Sequence, residues 1–110
     1  MAEIQIKVQG IVLINTFTVK PEKGDELLAL LVDATDKVMR HVPGFISATI
    51  HMSLDRKHIA NYARWRSKED NDAMMTNPVA KEHMGEAAKL ADAFEPLYYK
   101  VARDEQRAAS

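Results

Sequence analysis

The chain contains no cysteine, so disulfides, thiolate metal sites and cysteine nucleophiles are excluded together. It carries almost no net charge, −1 with histidine neutral. That removes the electrostatic reason to expect nucleic acid or an anionic membrane as a partner. No apolar run approaches the ~20 residues of a membrane span, and the start, Met1-Ala2-Glu3-Ile4-Gln5, lacks the basic and apolar regions of a signal peptide. A cytoplasmic location is the expectation. A glycine-rich phosphate loop, a His-Glu-x-x-His helix and a Ser-His-Asp spacing are likewise missing. The four histidines, His41, His51, His58 and His83, include no pair four residues apart, and no metal site is predicted.

Aromatic residues make up only 6% of the chain, with one tryptophan. That tryptophan ends a strand-like run, Asn61-Tyr62-Ala63-Arg64-Trp65. Alternation along a strand puts Asn61, Ala63 and Trp65 on one face and Tyr62 and Arg64 on the other. An amide and an indole on an otherwise apolar face suit the lining of a site for a flat, oxygen-bearing organic molecule. They equally suit a plain core in which the tryptophan supplies packing area and the amide is satisfied.

What is present fits one globular domain spanning residues 1–110, with a core over about 10–102 and a polar tail over 103–110. Residues Gly10 to Lys20 are β-branched and apolar and read as a strand. Pro21-Glu22-Lys23-Gly24 breaks it and leads into a helix, with Asp25 and Glu26 at its positive end. Leu27, Leu31, Ala34 and Val38 recur as one buried stripe, and Val42-Pro43-Gly44 stops the helix. Phe45 to Ser53 and His58 to Trp65 form a hairpin across Leu54-Asp55-Arg56-Lys57. Ser67 is suited to cap a short helix through about Met75. Asn77-Pro78 opens another helix, with Ala80, Met84, Ala87 and Ala91 as its stripe, and Pro96 to Ala102 reads as a last strand. The order β-α-β-β-α-β predicts an α+β fold, a ferredoxin-like split unit with an antiparallel sheet and helices on one face. Both parities of the strands are substantially apolar, so the open sheet face is expected to be covered by a second copy, giving a homodimer.

The segments Val19-Lys20-Pro21-Glu22, Val42-Pro43-Gly44-Phe45 and Asn61-Tyr62-Ala63-Arg64-Trp65-Arg66-Ser67 together resemble the antibiotic biosynthesis monooxygenase family. The resemblance extends over roughly Ile11 to Val101 and implies a dimeric α+β barrel. It is strongest to the cofactor-independent, actinorhodin-type enzymes of polyketide tailoring, through Ser47-Ala48-Thr49, His51 and Asn61-Tyr62-Ala63 with Trp65. It implies a monooxygenase that turns a polycyclic phenol or anthrone into a quinone with O2, using neither cofactor nor metal. The partners implied are a small aromatic substrate, O2 and a second copy of the chain, with no nucleic acid or membrane.

By the same resemblance Asn61 and Trp65 carry binding and anion stabilisation, and His51 and His83 are candidate proton relays. Asn15, Phe17, Asn71, Met74, Met84 and Tyr98 are candidate substrate-binding residues. Two departures stand out: Asn71 occupies the place of a pocket tyrosine in actinorhodin-type members, and Met84 stands about where they carry an arginine. Two alternatives use the same fold. One is a haem-binding or haem-degrading oxygenase, matched by Asn15 but carrying Met74 at a tryptophan position, with His83 one residue out of register. The other is a non-catalytic dimer that holds a small aromatic ligand.

Overall fold

A computed structural model of the chain describes residues 10–108; the predicted start of the chain and the last two residues of the predicted tail lie outside them. Strand β1 (Ile11–Thr18) is followed by helix α1 (Pro21–Lys37) and a short 3₁₀ turn at Met39–His41. The hairpin of β2 (Phe45–Met52) and β3 (His58–Trp65) comes next, then helices α2 (Lys68–Met74) and α3 (Pro78–Leu90) and strand β4 (Ala93–Tyr99). The sheet order is β2-β3-β1-β4, and each adjacent pair is antiparallel. This is the ferredoxin-like α+β arrangement expected from element order. No described helix is long and apolar enough to cross a membrane.

Several local features differ from the sequence expectation: helix α1 gives way after Lys37 to the 3₁₀ turn before Val42-Pro43-Gly44, and β4 ends at Tyr99, short of Ala102. Helix α1 starts at Pro21, not near Asp25, because proline fits the first helical position, where its missing N–H would have no partner anyway. Strand β4 begins at Ala93 and runs through Pro96. It lies at the sheet edge, where a proline's lost ladder bond costs least. In β2 the register slips between Phe45 and Ser47. This bulge returns Phe45 to the same face as Ala48, against the simple alternation that would separate them.

The helices pack on the face that carries Leu13, Asn15 and Phe17 of β1. On that face Asn15 stands opposite Asn61 on one side and Pro96 on the other. The predicted stripe of α1 is buried at all four positions, Leu27, Leu31, Ala34 and Val38. The core formed in this way is divided. One cluster gathers Leu13, Ala63, Trp65, Val38, Met74 and Ala80, and the other Phe17, Ile59, Leu27, Leu31 and Ala87. The row between them holds the two asparagines on the sheet and the small Ala34 on the helix above. Amides and a methyl group cannot fill the volume that leucines fill elsewhere, and the two layers stay apart there.

Candidate active site

The gap between the two core clusters is a cavity of about 170 Å³. Strand alternation brings Asn15, Phe17, Asn61 and Trp65 to its floor, and β4 adds Tyr98. Asn71 and Met74 of α2 and His83 and Met84 of α3 line the helical side. Nine of the ten residues named from sequence therefore meet in one place. The tenth, His51, does not. It pairs with Ala60 in the β2–β3 register and is exposed on the opposite face, its ring 3.3 Å from the Ala60 carbonyl. His51 is not among the residues that line this cavity.

The polar atoms of the wall distinguish it from a packing defect. Trp65 and Asn71 are each only 1% exposed, yet Trp65 Nε1 and Asn71 Nδ2 donate to nothing and Asn61 Oδ1 accepts from nothing. Buried polar groups are normally paired, and each left unpaired costs roughly 1–3 kcal/mol. All three belong to residues that line one cavity, most of whose other lining residues are apolar. The indole is locked by an edge-to-face contact with Phe45, centroids 5.4 Å apart at 83°. At the other end of the floor Phe17 and Phe94 stack at 4.8 Å.

Asn71 is placed from both directions. Ser67 caps α2 by accepting a hydrogen bond from the Asp70 amide at 3.1 Å. The Asp70 carboxylate accepts from Arg66 Nε at 2.9 Å and from the Ser67 hydroxyl at 3.0 Å, and these donors hold its pKa below the usual carboxylate range. The same carboxylate packs so closely over Gly44 (φ +87°) that a Cβ there would collide with it. From β4, the Tyr98 hydroxyl donates to Asn71 Oδ1 at 2.6 Å. The Lys68 ammonium, paired with Asp72 at 3.0 Å, sits 5.2 Å from the centre of the Tyr98 ring.

His83 is turned away from a ligand. Its Nδ1 lies 2.9 Å from the Val79 carbonyl and its Nε2 3.2 Å from Asp33 Oδ2. Both contacts are satisfied together when both nitrogens carry protons, and the Val79 carbonyl, followed by Asp33, raises the histidine's pKa. Lys37, then His83, in turn lowers that of Asp33. The imidazole forms wall and is tied to Asp33, so it does not take over the place of the arginine absent near Met84. The same contacts bear on a haem reading, since both ring nitrogens already face protein oxygens, the Val79 carbonyl and Asp33 Oδ2, where an axial ligand needs one turned to the iron. The residues present do not fit that group. Among the described residues no three His, Asp or Glu side chains gather to hold a metal ion.

Sequence reading missed Ala34, whose small size opens the gap, and Phe45 and Phe94, which also line it. Phe45 was hidden by the bulge, and Phe94 by starting β4 at Pro96.

Fold and cavity define a ferredoxin-like α+β protein with a mostly apolar cavity between sheet and helices. The family model for the antibiotic biosynthesis monooxygenases matches residues 10–89, and the chain belongs to that family and is an enzyme of the monooxygenase class. It is 45% identical over 83 residues to tetracenomycin-F1 monooxygenase of Streptomyces glaucescens, covering 76% of this chain and 74% of that protein. The crystal structure of the ActVA-Orf6 monooxygenase of Streptomyces coelicolor, in complex with nanaomycin D, superposes with a TM-score of 0.83 at 25% identity, over 96% of this chain and 99% of that one. SnoaB, a cofactor-independent oxygenase of Streptomyces nogalater, shares the fold at 18% identity and a TM-score of 0.72, over 87% and 96%.

Proposed function

We propose that this chain oxidises a polycyclic phenol or anthrone to a quinone with O2, without metal or organic cofactor. The observation that carries this reading is the set of three buried, unpaired polar atoms, Asn61 Oδ1, Trp65 Nε1 and Asn71 Nδ2, on residues that line one mostly apolar cavity. Such a wall is complementary to a flat hydrocarbon bearing oxygens. The relative named for tetracenomycin F1 and the nanaomycin complex support the same substrate class.

The chemistry resides in the substrate. Triplet O2 reacts slowly with closed-shell molecules, but an electron-rich phenolate or enolate can give it one electron. The resulting radical pair combines to a peroxide at the ring carbon, and loss of water leaves a carbonyl, so that CH₂ plus O2 becomes C=O plus H₂O. The protein has to hold the ring system, favour its anion and exclude bulk water. The Trp65 N–H, in a dry wall, donates to the oxygen on which negative charge develops. Asn61 meets a phenol hydroxyl with its oxygen, and a half-turn about χ2 offers its NH₂ to the phenolate. The flexible thioethers of Met74 and Met84 adapt the helical side to the rings.

Support for a homodimer comes from the other sheet face. There Tyr62, Ile14 and Leu97 form one row across three strands, with Tyr62, Leu97 and the nearby Tyr99 exposed. A second copy packed sheet against sheet covers that row. A cytoplasmic location accords with this reading. Oxygen uptake by chelator-treated protein with a panel of anthrones and naphthols tests the activity. Uptake matched by quinone absorbance is expected; ligand binding with no uptake across the panel leaves a binding protein instead.

A further inference from the structure

Asn61 and Trp65 both stand on β3, and the reading above uses that side of the cavity. The opposite side has polar equipment of its own. Asn71 is the one buried polar residue among the described residues, and its Nδ2 is unpaired. Its oxygen is held by the Tyr98 hydroxyl at 2.6 Å. The amide cannot turn over without giving up that bond, so the NH₂ is the group left without a partner. Tyr98 is fixed by register: it stands opposite Leu13 of β1, whose other partner is Ala63, between Asn61 and Trp65 on β3. The amide is therefore tied to β4, two strands away from the strand that carries the indole.

We propose that Asn71 is a specificity-determining residue whose Nδ2 donates to a second oxygen of the substrate, distinct from the oxygen held by Trp65. Tyr98 is the positioning residue that decides which atom of the amide faces the substrate. This rests on the fused-aromatic reading of the cavity. A ligand lacking the second oxygen leaves a buried N–H unpaired, and sites built in this way reject such analogues strongly. Lys68, stacked on the Tyr98 ring and anchored by Asp72, steadies the phenol from outside.

The test uses anthrones that carry a single hydroxyl at each terminal-ring position in turn, beside the parent without it. Binding is read by quenching of Trp65, the only tryptophan, and turnover by oxygen uptake. The wild type should prefer one hydroxylated isomer to the parent by roughly tenfold to a hundredfold. Asn71→Ala should abolish that preference. Tyr98→Phe, which keeps the ring, should narrow it, with the change in KM and Kd rather than kcat. Equal affinity for all the ligands, no binding of any, or a preference that survives both substitutions overturns the proposal. A preference in binding without oxygen uptake supports the role of Asn71 while overturning the monooxygenase reading for these substrates.

Discussion

Asn15 and Asn61 stand directly opposite one another on adjacent antiparallel strands, in the row where the apolar core divides in two. A protein selected for stability alone would place aliphatic side chains there. The buried Asn61 oxygen is unpaired, and under the proposed function this is a stability cost accepted for activity. Asn61→Leu should therefore raise stability while removing activity. Relief of one buried unpaired group, roughly 1–2 kcal/mol, corresponds to about 3–8 °C in Tm for a domain of this size. Thermal denaturation with parallel oxygen uptake checks this; a lower Tm together with retained turnover contradicts it.

Trp65 separates packing from chemistry in a different way. It is buried against Phe45, so Trp65→Phe keeps an aromatic in the core and deletes the N–H. Loss of one donor to a developing anion should lower kcat/KM by roughly tenfold to a hundredfold, with kcat falling more than KM rises. Circular dichroism should be little changed. A variant with wild-type kcat/KM reduces the indole to filler.

The element order was legible because the helical stripes and the breakers at Pro21, Pro43-Gly44 and Asn77-Pro78 agree with one another. Asn61 and Trp65 were legible because a strand's two-residue period fixes their common face. The bulge at Phe45/Ser47 has no such local signal, and it reverses the parity of everything before it. His51 entered through a resemblance that carried no face with it, and pairing with Ala60 puts it on the far side of the sheet. The contacts that define the rest of the site, Tyr98 with Asn71 and His83 with Asp33, join residues 27 and 50 positions apart. Only the packing of β4 and α3 brings them together, and single-sequence periodicity does not report on that.

The His83–Asp33 pair predicts a pH dependence of stability. The Val79 carbonyl and Asp33 raise the histidine's pKa above 6.5 in the folded state, so folding favours the protonated form. The stabilisation is then fully present below about 6.5, the unfolded value, and is lost as pH rises through the folded value. Glu86 adds to the effect from the same helix, and Lys37 competes for Asp33. The Tm difference between wild type and His83→Gln should be largest near pH 5.5 and shrink by pH 8.5. Asp33→Asn should flatten the wild-type profile in the same window. A gap that widens with pH has the wrong sign for this assignment.

The open sheet face yields a prediction about assembly. Tyr62, Ile14 and Leu97 lie in one row on the face away from the helices, the outer two exposed. Sheet-on-sheet packing of two copies places this row against its counterpart, where a carboxylate would be buried without a partner. Each such charge costs several kcal/mol, and two-fold symmetry doubles every substitution. Tyr62→Glu with Leu97→Glu should thus weaken a dimer by at least about a hundredfold. Light scattering at micromolar concentration should show a dimer for the wild type and a monomer for the double variant, with far-UV circular dichroism retained because neither side chain lies in the helix-covered core. A wild-type monomer under those conditions means that this face is covered by something other than a second copy.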